Sequence, residues 1–144
     1  MAVDDAGDSG TPSVEGVPLR PADGAAGRVE LLVDPGSFLE LGSQRLHRGT
    51  GFGLEDRRIP GDGVVAGTAA IDDRTVHVFA QDRYVLGGSL GEAHADRIAD
   101  TISRATRGGT PVVGINDSGG ARIQEGVASL DGYGRVFRAN VAAS

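Results

Sequence analysis

Between Gly114 and Gly126 the chain reads Gly-Ile-Asn-Asp-Ser-Gly-Gly-Ala-Arg-Ile-Gln-Glu-Gly, directly after the apolar run Pro111-Val112-Val113 and before a helix-like pattern. A strand that runs into a glycine-rich turn and then into a helix is the joint of a layered α/β fold. Such a joint leaves backbone N–H groups unpaired beside the positive end of a helix dipole. It suits an anion, either a bound phosphate or a negative oxygen that appears during a reaction.

The rest of the 144-residue chain supports the same architecture. Residues 1–27 lack an apolar period and are rich in Gly, Ala, Asp, Ser and Pro, the composition of a disordered leader. They hold Asp4, Asp5, Asp8, Glu15 and Asp23 against Arg20, so most of the net charge of −6 is local to them. Arg28 to Val33 predicts one or two helical turns, Asp34-Pro35-Gly36 a turn, and Ser37 to Leu41 the start of a strand. Arg45 to Pro60, with glycines, clustered charge and no period, predicts a loop with functional or packing contacts.

Gly63 to Ile71 and Thr75 to Ala80 are β-rich runs around Asp72-Asp73-Arg74, a hairpin signature. Ser89 and Glu92 have the spacing of a capping box ahead of a helix. That helix carries Ala95, Ile98, Ala99, Ile102 and Ala105 on one face and ends at Gly108-Gly109. Pro111 to Ile115 is the next strand. A last helix is predicted over Ala121 to Asn140, with Ile123, Val127, Leu130 and Phe137 as its apolar stripe. No Gly or Pro stop signal occurs near Val141-Ala142-Ala143-Ser144, so this helix reads as cut rather than finished.

Several chemistries are excluded by composition. There is no cysteine, hence no disulfide, thiolate nucleophile or zinc ribbon. All 14 basic residues are arginine, which removes Schiff-base chemistry and the lysine of a phosphate-binding GxxxxGK[ST] loop. His47, His77 and His94 lie far apart in sequence and read as surface or packing histidines, so no metal site is expected. The acidic balance disfavours nucleic acid or an anionic membrane as partner, and no stretch reaches transmembrane length. The expectation is a soluble, cytoplasmic protein.

Gly119, Gly120 and Ala121 are the candidate catalytic residues: small side chains let a substrate carbonyl approach a backbone N–H that donates to an enolate oxygen. The same glycines also suit a tight turn with no chemistry, and spacing alone does not separate the two. Gly87-Gly88-Ser89-Leu90-Gly91 is a second turn, fit either for a phosphate or pantetheine contact or for a plain capped helix start. The dinucleotide fingerprint GxGxxG is absent from it and from Gly51-Phe52-Gly53. Glu92, Asp117 and Glu125 flank the turns without a spacing that specifies acid–base work. Arg122 can meet a substrate phosphate or carboxylate, or be solvated or ion-paired, and the second reading is preferred.

With these residues in view, the chain resembles the carboxyltransferase (β) subunit of biotin-dependent acyl-CoA carboxylases, of the propionyl-CoA and acetyl-CoA type. The resemblance runs through Arg28 to Phe38, Pro60-Gly61-Asp62-Gly63-Val64-Val65, Gln81-Asp82, Gly87 to His94, and the whole of Gly114 to Gly126. It implies residues 28–144 as the N-terminal part of an acyl-CoA carboxyltransferase domain, with an α/β, crotonase-like (ClpP/crotonase) fold of ββα units, incomplete here. The implied reaction moves a carboxyl group from carboxybiotin to the α-carbon of an acyl-CoA, with backbone N–H groups holding the thioester enolate. Ser118 to Ala121 would form one wall of the acyl-CoA site. Gly87, Gly88, Ser89, Gly91, Ser118 and Arg122 are the implied substrate-lining set.

The resemblance also implies a biotin carboxylase or biotin carrier subunit as partner and a homo-oligomer at full length. Members continue through a second glycine pair that completes the oxyanion hole and a second crotonase-like domain, neither of which lies in these residues. The lack of cysteine separates the chain from the zinc-ribbon type. Two rival readings remain: an acyl-CoA decarboxylase that uses the same enolate site, and a non-catalytic truncated subunit acting in assembly.

Overall fold

In a computed structural model, which describes residues 24–144 apart from Thr50, Glu55 and Arg58, seven elements follow in chain order. They are α1 (Ala25–Leu32), β1 (Leu39–Glu40), β2 (Val64–Ile71), β3 (Arg74–Gln81), α2 (Glu92–Gly108), β4 (Val112–Ile115) and α3 (Val127–Ala143). The sheet order is β1-β2-β3-β4; β3 and β4 are parallel and the other pairs antiparallel.

The β2–β3 hairpin closes with Ile71 opposite Arg74, leaving Asp72 and Asp73 at φ of 49° and 61°. Two successive left-handed residues match the right-handed twist of the strands, and aspartate tolerates that region. Asp34, in the turn after α1, accepts both of their N–H groups at 3.0 and 2.9 Å.

Both faces of the sheet are covered, so β2 and β3 read as nearly continuous apolar runs rather than alternating ones. On one face Ala25, Val29 and Val33 pack on Val65, Ala69, Val76, Val78 and Ala80. On the other, Leu90, Ala95, Ile98, Ile102 and Ala139 pack on Val64, Ala66 and Phe79. The arrangement is α1, sheet, then α2 with α3, within the crotonase-like fold expected. Helix α2 buries the predicted face and ends at Gly109, whose φ of 63° is the left-handed C-cap.

Three expectations are corrected. Helix α1 begins at Ala25, inside the stretch assigned to the leader, because Ala25 is itself a core residue; residues 1–23 lie outside the described ones. The first strand is only Leu39–Glu40.

The largest departure concerns α3, which starts at Val127 rather than Ala121. Its expected core stripe is exposed: Ile123 88%, Val127 80%, Leu130 62% and Phe137 61%. The face turned inward buries the small residues Ser129, Gly132 and Ala139, with Tyr133 and Val136 partly buried against the same core. A Cβ on Gly132 would stand 2.7 Å from the Ala95 Cβ, so at this crossing helix α3 approaches α2 too closely for a larger side chain. Periodicity locates an apolar stripe but not which stripe meets a neighbour.

Candidate functional site

The two glycine turns lie side by side. Gly119 N–H donates to the Gly87 carbonyl at 3.0 Å, Leu90 N–H to the Gly120 carbonyl at 2.8 Å, and Arg122 N–H to the Leu90 carbonyl at 2.9 Å. Leu90 and Ala121 therefore form a short parallel bridge. In such a bridge the N–H and C=O of the central residue face the opposite edge. Gly119 is thus engaged with Gly87, and Gly120 N–H donates to Ser118 Oγ at 3.1 Å. Of the three candidate catalytic residues, only Ala121 keeps an N–H without an acceptor among the described residues.

The glycines of the two turns do different things. Gly87 and Gly120 have φ of 65° and 106°, and an added Cβ would meet nothing within 4 Å, so the space beside them is open. Gly88 and Gly91 are buried and needed for packing. A Cβ at Gly88 would lie 2.1 Å from the Asp117 carbonyl oxygen, and one at Gly91 2.4 Å from an Arg122 nitrogen. Gly87, Ser118 and Gly119 are exposed, and Ser89, Gly120 and Ala121 partly so.

No helix N-terminus opens onto the Gly119–Ala121 turn, contrary to the strand–turn–helix reading. A 3-10 turn at Ile123–Glu125 and Gly126 intervene before α3. The adjacent positive helix end is that of α2, and it is already occupied. Glu92 N–H donates to Glu125 Oε2 at 2.6 Å and His94 N–H to Asp62 Oδ2 at 2.9 Å. Two carboxylates from distant segments complement the dipole there. The Ser89–Glu92 capping box does not form: Ser89 Oγ accepts from Arg122 Nε at 3.2 Å, and Glu92 pairs with Arg48 at 2.8 Å. That helix end is not open to a phosphate.

Arg122 shows the ion-paired alternative. Its side chain is 0% exposed, with Nη1 2.5 Å from Asp62 Oδ1 and 2.9 Å from Glu125 Oε1. Nη2 donates to the Ser89 carbonyl at 2.8 Å, so the guanidinium ties the two turns together from inside the fold. Burial raises the Asp62 carboxyl above its usual 3.8, with Arg122 opposing the shift.

Three contributors, Asp62, Gln81 and His94, lie in the motifs that carry the resemblance but were not among the candidate site residues. Asp62 sits between Gly61 and Gly63 with φ 50° and ψ 39°, fully buried. Its carbonyl accepts from His94 Nδ1 at 2.8 Å, and His94 Nε2 lies 3.1 Å from Gln81 Nε2. Gln81 Oε1 in turn accepts from Asp117 N–H at 3.2 Å. Burial pushes the His94 imidazole down to about 4, with Arg122 and Arg97 adding and the Asp62 carbonyl opposing. Glycines on both sides of Asp62 were the one hint of a left-handed backbone.

Among the described residues no group of three or more His, Cys, Asp or Glu side chains can hold a metal. No helix among them is long and apolar enough to cross a membrane.

Residues 23–144 match the carboxyl transferase domain family. The chain is 56% identical over 117 residues to the propionyl-CoA carboxylase beta chain of Cereibacter sphaeroides, covering 81% of this chain and 23% of that one. It is 53% identical over 119 residues to the mitochondrial propionyl-CoA carboxylase beta chain of Rattus norvegicus, covering 81% and 22%. Among solved structures, transcarboxylase 12S with methylmalonyl-coenzyme A and methylmalonic acid bound superposes with a TM-score of 0.81 at 48% identity, over 84% of this chain and 24% of that one. A Pseudomonas malonate decarboxylase hetero-tetramer with malonate gives 0.71 at 28% identity, over 83% and 46%. The chain thus spans less than a quarter of the length of its curated relatives.

Proposed function

The chain belongs to the carboxyl transferase domain family, and on that premise we propose that it carries one wall of an acyl-CoA carboxyltransferase site. The reaction is transfer of a carboxyl group from carboxybiotin to the α-carbon of a short-chain acyl-CoA, propionyl-CoA or acetyl-CoA. The observation that carries this reading is the unengaged Ala121 N–H, flanked by the open backbone of Gly87 and Gly120. Loss of the α-proton puts negative charge on the thioester oxygen, and a fixed backbone donor aimed at that oxygen lowers the barrier by about 3 kcal/mol. The donor is held by the Leu90–Ala121 bridge, so it needs little reorganisation when charge develops.

Carboxybiotin supplies the carboxyl group when bound. Delivery of biotin by a biotin carboxylase or carrier partner belongs to the same reading. Cytoplasmic location and homo-oligomeric assembly are parts of the same reading. Relatives described as a hexamer assembly support the latter. A decarboxylase that forms the same enolate is the second reading, favoured by the likeness to malonate decarboxylase.

Propionyl-CoA added to the isotope-labelled chain should shift the amide resonances of Gly87, Gly120 and Ala121 ahead of those on β1 or α1. Shifts absent from both turns would remove the reading. Methylmalonyl-CoA turnover without biotin would select the decarboxylase.

A further inference from the structure

From Asp62, hydrogen-bond chains reach both ends of the Ser118–Ala121 turn. Upstream, its carbonyl accepts from His94 Nδ1 at 2.8 Å, His94 Nε2 meets Gln81 Nε2 at 3.1 Å, and Gln81 Oε1 accepts Asp117 N–H at 3.2 Å. Downstream, its carboxylate accepts from Arg122 at 2.5 Å, and Arg122 grips the Ser89 carbonyl at 2.8 Å. All four relay side chains (Asp62, Gln81, His94 and Arg122) are buried.

The upstream chain has a fixed direction. A carbonyl only accepts, so the proton of the neutral imidazole sits on Nδ1 and Nε2 is the acceptor. Gln81 must then present its NH2 to His94 and its oxygen to Asp117 N–H. A single carbonyl sets the tautomer, the amide orientation and the last backbone donor before the turn.

Such a network is costly as a source of stability. Two carboxylates, Asp62 and Glu125, surround one guanidinium away from water, and well-packed apolar groups commonly do as well or better. What apolar groups lack is direction.

We infer that Asp62 is a positioning residue that holds the Gly87–Gly91 and Ser118–Arg122 turns at both ends, and with them the Ala121 N–H. The inference rests on the proposed acyl-CoA reading only for what that N–H receives.

The test uses D62N in the 144-residue chain, because asparagine keeps the size and tolerates the left-handed backbone. One of its two terminal atoms becomes a donor facing either the Arg122 guanidinium or His94 N–H. Amide exchange at Leu90, Gly119 and Arg122 should quicken by at least ~10-fold, while Val78 and Phe79 in the sheet centre change by less than about threefold. The Ala121 amide resonance should move as well. A uniform loss of protection, or none, overturns the inference.

If D62N does not fold, Arg122→Lys tests the downstream arm and Gln81→Met the upstream arm by the same criteria. Gln81→Glu adds a spectroscopic signature: with an acceptor on both sides, His94 should show the nitrogen shifts of an imidazolium at neutral pH. A wild-type His94 carrying its proton on Nε2 would also overturn the inference. If propionyl-CoA shifts no amide of the wild-type chain, the acyl-CoA reading falls and the exchange result still decides this one.

Discussion

Asp62 and Arg122 stand 60 positions apart in the chain, yet their carboxylate and guanidinium meet at 2.5 Å with neither side chain exposed. The contact joins the approach to β2 with the turn after β4. It places a charge cluster directly behind the backbone proposed to face substrate.

Breaking that pair from the cationic side should be severe. Arg122→Met leaves Asp62 and Glu125 buried without their cation, a loss on the order of 3–5 kcal/mol in urea unfolding at pH 7. The loss should shrink in acid, because protonating the raised Asp62 carboxyl removes one of the stranded charges. An equal loss at pH 7 and pH 4.5 would contradict this account.

The pH dependence of wild-type stability should carry the mark of His94. Its folded-state value of about 4 lies below the ordinary 6.5, so between those limits the unfolded chain binds a proton that the fold rejects. Stability therefore falls as pH drops through that window, by an amount on the order of 3 kcal/mol. Asp62 works the other way: its raised carboxyl takes a proton more readily in the fold, which favours the fold as pH falls through that raised value. His94→Asn keeps a donor toward the Asp62 carbonyl and should flatten the slope between pH 5 and 6.5, as followed by denaturant titrations.

Substitutions at the glycines should separate packing from access. Gly91→Ala drives a methyl into Arg122 and Glu125 and should cost about 1–3 kcal/mol. Gly120→Ala meets no atom and should cost only ~1 kcal/mol of backbone strain. Its methyl would nonetheless stand beside Ala121 and weaken propionyl-CoA binding. Thermal melts read the first effect and ligand-induced amide shifts the second.

Helix α3 offers a contrast between an apolar stripe and a packed face. Ile123→Gln and Val127→Gln should leave stability within about 0.5 kcal/mol, since both side chains are exposed. Gly132→Leu should separate α3 from α2, and Ile98→Ala should cost about 2–5 kcal/mol. Chemical denaturation of the four variants checks the order.

The elements themselves were largely legible. Asp72-Asp73 announced the hairpin, the Ala95–Ala105 face announced α2, and Gly109 its end, because each rests on local backbone preference or on a period within one element. The Ser89–Glu92 capping box failed for the opposite reason. Its spacing fits the motif, but the helix starts at Glu92 with Gly91 as its N-cap, and Glu125 reaches the Glu92 N–H from 33 positions away. The stripe of α3 failed because Gly132 and Ala139 permit a close approach that larger residues would block.

Residue types alone exclude thiolate and amine chemistry from these 144 residues and mark two glycine turns, whose backbone is proposed to face substrate. The absence of cysteine and lysine, and the two glycine turns, are properties of residue type and need no fold to be read. The fold is needed to see that Gly87 faces open space while Gly88 and Gly91 are packed, that Arg122 turns inward, and that Asp62, Gln81 and His94 stand behind the turns. Those outcomes depend on which buried donor meets which buried acceptor across 13 to 60 positions of chain. Burial makes an unmet donor or acceptor expensive, so the fold as a whole, and no local spacing, sets the pairing.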